Sequence, residues 1–259
     1  MSEIIAVANE KGGVAKTTTV VSIAGALAQK GCNVLTIDLD PQANLTLALG
    51  IQPASVRRSS ADMLLNSATA LSVSRETDFA GLDLIPANEE MGLAERFLPI
   101  RANYANVLRL AIQGINLYDY ILIDCPPSLG AVTTNALTAA NRVIIPTQPE
   151  YFSAYALKNM LRFIKKIKSQ ENPALDYNIL LTMFDIRNRI HRTLRDQICQ
   201  NFNGRVFQTV IQIDTKVRES SVAGLPVTHY SKSTRSAIQY RALVEEMTEH
   251  VRQEAAQPA

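Results

Sequence analysis

Cysteine is scarce in this 259-residue chain, with thiols only at Cys32, Cys125 and Cys199. That spacing leaves no C-x-x-C knuckle and no disulfide framework, and it fits a reducing compartment. Long apolar runs are missing as well. No stretch reaches the ~18 apolar residues of a membrane span, and the opening MSEIIAVAN places an acid, not a basic leader, before its short apolar run. A cytoplasmic location is expected. What is plentiful is ordinary: 47% hydrophobic and 19% charged residues suit a globular chain with a large core, and exclude disordered or fibrous classes.

Charge is nearly balanced overall, at +2, but not along the chain. Between Lys158 and Arg235 stand 14 Lys+Arg against 6 Asp+Glu, which leaves the remainder acidic. Such asymmetry suggests a polyanion partner for the second half, although a solvated surface is the common reason for a charge excess.

Apolar runs of strand length alternate with helix-length stretches. The strand candidates are Ile4–Ala8, Val34–Ile37, Leu82–Pro86, Tyr120–Ile123, Val143–Pro146, Asn178–Thr182 and Val206–Ile211. Helices are expected over Thr17–Lys30, Tyr104–Leu117, Ala131–Ala140, Ala154–Lys168, His191–Asn203 and about Thr234–Glu254, and residues Gln52–Phe79 read as a loop with a short helix at the sheet edge. Continuous apolar strands separated by helices predict an α/β fold, a mostly parallel twisted sheet of about seven strands covered on both faces, in one domain spanning the whole chain.

The stretch NEKGGVAKTTT follows the first strand and opens the first helix. It approaches the phosphate-loop pattern G-x-x-x-x-G-K-[ST] but carries Glu10 and Ala15 where that pattern has glycine. The order strand, loop, helix still makes an anion site from backbone N–H groups and a helix N-terminus. Gly12 and Gly13 allow close approach, Lys16 supplies charge, and Thr17 a hydroxyl suited to Mg²⁺. If position 15 requires φ > 0, an alanine there costs roughly 1–2 kcal/mol.

KGGVAKTT resembles the deviant Walker A motif, K-G-G-x-G-K-[ST], of the ParA/MinD superfamily, with Ala15 as the one departure. NVLTIDLDPQANLTLALG resembles that family's second-strand segment and YDYILIDCPPSLG its Walker B. TQPEYFSAYAL and the block from DTKVRES to VEEM resemble stretches of the ParA/Soj branch, so the likeness covers nearly the whole chain. The start of the sequence at its first strand is similar to the short ParA/Soj form, without the helix-turn-helix of larger partition ATPases.

The resemblance implies roles for particular residues. Lys11 would reach a partner's phosphates across a nucleotide-sandwich homodimer, and Lys16 and Asp40 would complete the catalytic set. Nucleotide would be held by Lys11, Gly12, Gly13, Val14, Ala15, Lys16, Thr17 and Thr18, with Glu150 near the ribose and dimer interface and Phe184, Ile213 and Asp214 further along. Mg²⁺ would fall to Thr17, Asp40 and Asp124. Asp38, as a strand-terminal acid, reads equally as structural or functional, and Cys125 reads as packing. Arg187, Arg189, Arg192, Arg195, Lys216, Arg218, Lys232 and Arg235, dispersed and without interleaved aromatics, suit sequence-independent contacts to double-stranded DNA. The alternative for these cations is pairing with nearby acids.

The implied function is a slow, Mg–ATP-dependent ATPase that dimerises, binds nonspecific DNA, positions a cargo over the nucleoid, and is stimulated by a ParB-like adaptor. A MinD-like positioning ATPase is disfavoured by the acidic tail, which lacks a basic amphipathic membrane helix, so no membrane partner is expected. Iron–sulfur carriers on this fold need cysteine ligands that are not here. A small-molecule ATP-dependent ligase remains the alternative, because fold does not fix function.

Overall fold

In the computed structural model, which describes residues 2–256 apart from the side chains of 152, 154 and 250–256, β1 (Glu3–Val7), β2 (Val34–Asp38), β3 (Arg75–Glu76), β4 (Leu82–Ile85), β5 (Tyr120–Asp124), β6 (Arg142–Thr147) and β7 (Asp176–Leu181) form a seven-stranded sheet. Their order is β3-β4-β2-β5-β1-β6-β7, and every pairing is parallel except the short β3 against β4. The expected mostly parallel α/β architecture is present.

Each central strand feeds two cores, as period-two alternation requires. Ile5 and Val7 of β1 face a cluster containing the helix Lys16–Gln29 and Tyr240, Leu243 and Val244 of the helix Arg235–Ala256. Ala6 faces the opposite cluster, with Leu157, Met160 and Ile164 of the helix Tyr151–Gln170 and Ile198 of the helix Arg189–Asn201. Fully burying a Leu or Ile side chain contributes about 1.5–3 kcal/mol, so both helical layers are firmly held. Register then places the site: Val7 and Asp38 both sit opposite Asp124, bringing the C-terminal ends of β1, β2 and β5 level with one another.

Three expectations need correction. Val206–Ile211 is not a sheet strand; it meets β7 at one isolated bridge, Ile179 to Val206, and at its ends the Phe207 and Ile211 amides donate to the Ile179 and Leu181 carbonyls at 3.0 and 2.9 Å. The middle of this run is drawn elsewhere, because the Gln208 and Thr209 amides donate to the Glu246 carboxylate of the C-terminal helix at 2.6 and 3.0 Å. The seventh strand is instead β3, inside the stretch read as loop and short helix. The helix expected over Tyr104–Leu117 is also shorter: a 3₁₀ turn at Tyr104–Asn106 leads into Val107–Ile112, and Gly114 at φ 77° turns the chain away.

Candidate nucleotide site

The helix Lys16–Gln29 begins without any side-chain cap, and Ala15 precedes it at φ 68°, ψ 33°. The left-handed conformation that the loop demands is therefore adopted by an alanine. The contrast with the helix Ala131–Ala139 is direct. There the Glu95 carboxylate accepts from the Ala131 and Val132 amides at 2.8 and 3.1 Å, whereas at Lys16 the first-turn N–H groups are left without a side-chain partner. A helix N-terminus left open in this way is an anion site.

Above it lies a cleft of about 670 Å³, whose wall includes Gly12, Gly13, Lys16, Thr17 and Asp40. Lys16 is 8% exposed; its ammonium donates to the Lys11 carbonyl at 3.2 Å. Burial depresses its pKa, against the pull of Asp124, Cys125 and Asp40. Thr17 donates its hydroxyl to Asp124 Oδ2 at 2.7 Å. The other oxygen, Asp124 Oδ1, is buried without a hydrogen-bond partner. Burial raises the Asp124 pKa strongly, and the facing Asp38 carboxylate adds to the rise. An orphaned carboxylate oxygen beside a hydroxyl and among other acids fits a divalent cation, held by few protein oxygens and several waters in the manner of Mg²⁺.

Asp38 is fully buried and has a structural task. Its Oδ1 accepts from the Asp40 amide at 3.1 Å, while Oδ2 accepts from the Thr46 amide and hydroxyl at 2.9 and 2.8 Å. Burial raises its pKa too. Asp40 stands at the cleft wall, with Oδ1 accepting from the Gln42 amide at 2.9 Å. Thr46 carried no sequence signal: its hydroxyl also accepts from the Ala87 amide at 2.9 Å and so ties the short helix Asn44–Ala48 to the loop after β4.

The expected nucleotide residues divide. Gly12, Gly13, Ala15, Lys16, Thr17, Thr18, Ile213 and Asp214 line the cleft. Val14 is buried, with its carbonyl accepting from the Thr182 hydroxyl at 3.0 Å. Phe184 packs beside His191, ring centroids 6.0 Å apart, outside the cleft wall. Lys11 points to the rim, where its ammonium meets Glu150 at 2.7 Å and the Ser153 hydroxyl at 3.2 Å. Tyr240, also in the cleft wall and near the Thr19 hydroxyl at 3.3 Å, was not anticipated. A buried tyrosine in a distant helix looks like core in sequence.

The eight expected DNA cations engage different local partners. Arg187 pairs with Asp185 at 3.2 Å, Arg195 with Asp196 at 2.8 Å and Lys216 with Glu219 at 2.6 Å. Arg192 donates to the Ile186 carbonyl at 2.6 Å and Arg235 to the Gln212 side chain at 3.2 Å. Arg218 borders the cleft, and Arg189 and Lys232 are exposed. The helix Arg189–Asn201 packs on one face of the sheet, and Arg235–Ala256 on the other.

Residues 2–177 match a family model described as an AAA domain. The chain is 37% identical to the sporulation initiation inhibitor protein Soj of Bacillus subtilis over 249 residues, 95% of this chain and 98% of that protein. It belongs to the ParA/MinD-type P-loop ATPases. Within this family it is also 36% identical to the chromosome partitioning protein ParA of Caulobacter vibrioides over 260 residues, 99% of this chain and 97% of the relative. A Mycobacterium smegmatis structure described as cobyrinic acid a,c-diamide synthase, with ADP and magnesium bound, superposes with a TM-score of 0.86 at 34% identity, covering 100% of this chain and 99% of that one. Among the described residues no helix is long and apolar enough to cross a membrane.

Proposed function

We propose that this ParA/MinD-type chain is an ATP-driven partition switch, which binds Mg–ATP, pairs with a second copy, holds DNA irrespective of sequence in that state, and releases it after hydrolysis. Lys11 carries this reading. It belongs to the phosphate loop, yet its ammonium lies at the rim beside Glu150 and Ser153 while Lys16 occupies the cleft. A loop lysine whose ammonium is engaged outside its own cleft supports a role toward a neighbouring copy's phosphates.

In the cleft, Lys16 and the open amides of the first helix turn bind and orient the phosphates. Thr17 and Asp124 would hold Mg²⁺, whose charge offsets that gathering on the phosphates. Asp40, held by the Asp38 contact to its amide, orients the attacking water. Turnover is slow alone and is raised by a ParB-like adaptor, and the DNA-bound state places the protein on the nucleoid with its cargo.

Light scattering with ATP, ADP and no nucleotide tests the pairing: mass should double with ATP only, and an unchanged mass at saturating nucleotide overturns it. The Mycobacterium smegmatis structure, by its description, supports a second reading, a ligase that spends ATP on amide formation. That reading requires ATP consumption that depends on a small carboxylic acid and ignores DNA.

A further inference from the structure

We propose that the exposed stripe Lys158, Arg162, Lys165 and Lys166 of the helix Tyr151–Gln170 is a contact surface for the phosphate backbone of duplex DNA, additional to the cations between Arg187 and Arg235. It rests on the DNA-binding reading above.

The helix carries five cations and no acid in its 20 residues. Lys168 turns inward to the Leu175 carbonyl. The other four are exposed, and none forms an ion pair with a described residue. Of the acids that touch or adjoin this helix, Glu10 accepts from Asn159 at 2.8 Å and Glu171 from Asn106 at 3.4 Å. This reverses the pattern of the second-half arginines, of which Arg187 and Arg195 already spend their charge on adjacent aspartates.

A helix face kept only for solubility normally mixes signs, since like charges at i, i+4 destabilise a helix by about 0.2–0.5 kcal/mol per pair. Lys158 with Arg162, and Arg162 with Lys166, are two such pairs. The helix dipole favours cations in the last turn only, which accounts for Lys168 but not for Lys158 or Arg162 near the middle. The repulsion therefore persists without an internal benefit, as expected of a surface shaped for an external anion.

Duplex DNA fits better than an acidic protein. From Lys158 to Lys166 every exposed residue is a cation, while Met160 and Ile164 are buried in the core and Leu161 and Phe163 are half-buried. The exposed aromatics of this helix, Tyr151 and Tyr155, stand in its first five residues, and the section beyond them offers only a row of cations suited to a row of phosphates. The eight residue steps from Lys158 to Lys166 rise about 12 Å, over which a duplex presents about seven charges. The helix packs on the same sheet face as Arg189–Asn201, so the stripe extends the layer that carries Arg189 and Arg192.

The test compares wild type with the fourfold reversal Lys158→Glu, Arg162→Glu, Lys165→Glu, Lys166→Glu, and with the milder pair Lys158→Gln, Arg162→Gln, in case the reversal fails to fold. Binding of a mixed-sequence duplex is measured with Mg–ATP across a salt series, beside the ATP-induced mass change. The reversal should weaken binding on the order of a hundredfold at ~0.1 M salt and lower the log–log salt slope by about two to four, the glutamine pair by about one to two, with dimerisation intact. Unchanged affinity and slope in a folded variant overturn the proposal, and would assign the stripe to an acidic protein or to solvent. Wild type that dimerises but binds no DNA overturns the DNA reading itself, and this stripe with it.

Discussion

The cleft and the outer basic faces handle charge in opposite ways. Around the cleft, Lys16, Asp38 and Asp124 are buried, and the groups left open, Asp124 Oδ1 and the first-turn N–H groups at Lys16, stand out as places for a ligand. On the outside, Arg187 is 88% exposed even while paired with Asp185, and such a pair holds little in water. Burial makes a charge informative, because an unpaired buried group is costly and cannot be accidental. Exposure makes a single charge uninformative, and only its pattern with neighbours carries meaning. Substitutions in the two regions should therefore differ sharply in effect.

The largest difference is expected for Lys16→Ala, which should weaken nucleotide binding on the order of a hundredfold by removing a charged donor from the cleft. Titration with a fluorescent ATP analogue reads this, and affinity close to wild type would break the comparison at its centre. Next comes Thr46→Val, which leaves Asp38 short of a donor and the Ala87 amide without an acceptor. Urea unfolding should show a loss of about 1–3 kcal/mol, with Thr46→Ser recovering most of it; an unaltered midpoint would show that the loop beyond Asp38 tolerates orphaned groups.

Ala15→Gly sharpens the same contrast. Because Ala15 stands at φ 68° with no nucleotide present, its strain belongs to folding, not to binding. Relief of about 1–2 kcal/mol, less the extra entropy glycine gains on unfolding, should raise stability by about 0.5–1 kcal/mol and leave nucleotide affinity unchanged. A variant that binds ATP tightly but melts like wild type contradicts this.

A smaller effect attaches to His229, half-buried between the Phe79 ring at 5.0 Å and the helix Lys16–Gln29. Burial, with help from Lys232, lowers its pKa below 6.5. The unfolded chain then binds a proton that the folded one refuses, so stability from this group is full above pH 6.5 and falls as pH drops through it. Melting from pH 7.5 to 5.5 should decline less steeply in His229→Gln than in wild type, and parallel declines would remove His229 from the account. At the bottom of the scale, Asp185→Ala should lower the melting temperature only slightly, since its pair with Arg187 is largely solvated and its remaining bond is to the Arg187 amide at 3.0 Å; a large drop would make that loop structural.

Much of this was legible in sequence. The glycine pair, Lys16, Thr17 and Asp124 were readable because a phosphate loop and a strand-end acid are local patterns, complete within a few residues. The strand runs were readable because a strand buried on both faces must be apolar throughout. Glu95 capping a distant helix, Thr46 tying the helix Asn44–Ala48 to the loop after β4 and Tyr240 in the cleft wall were not, since each acts on residues far away in the chain.

Local chemistry in the sequence thus determined that a phosphate-loop sheet would form and which residues would stand at its edge. Tertiary structure decided how those residues are used. Glu246, reaching from the last helix, took the Gln208 and Thr209 amides in the middle of Val206–Ile211. The approach of Glu150 and Ser153 turned Lys11 to the rim, and adjacent acids occupied Arg187 and Arg195 while leaving Lys158 and Arg162 without an ion pair to any described residue. The physical reason is common to all three: a polar group's role is set by the partner that reaches it, and those partners are chosen by packing, not by neighbourhood in the chain.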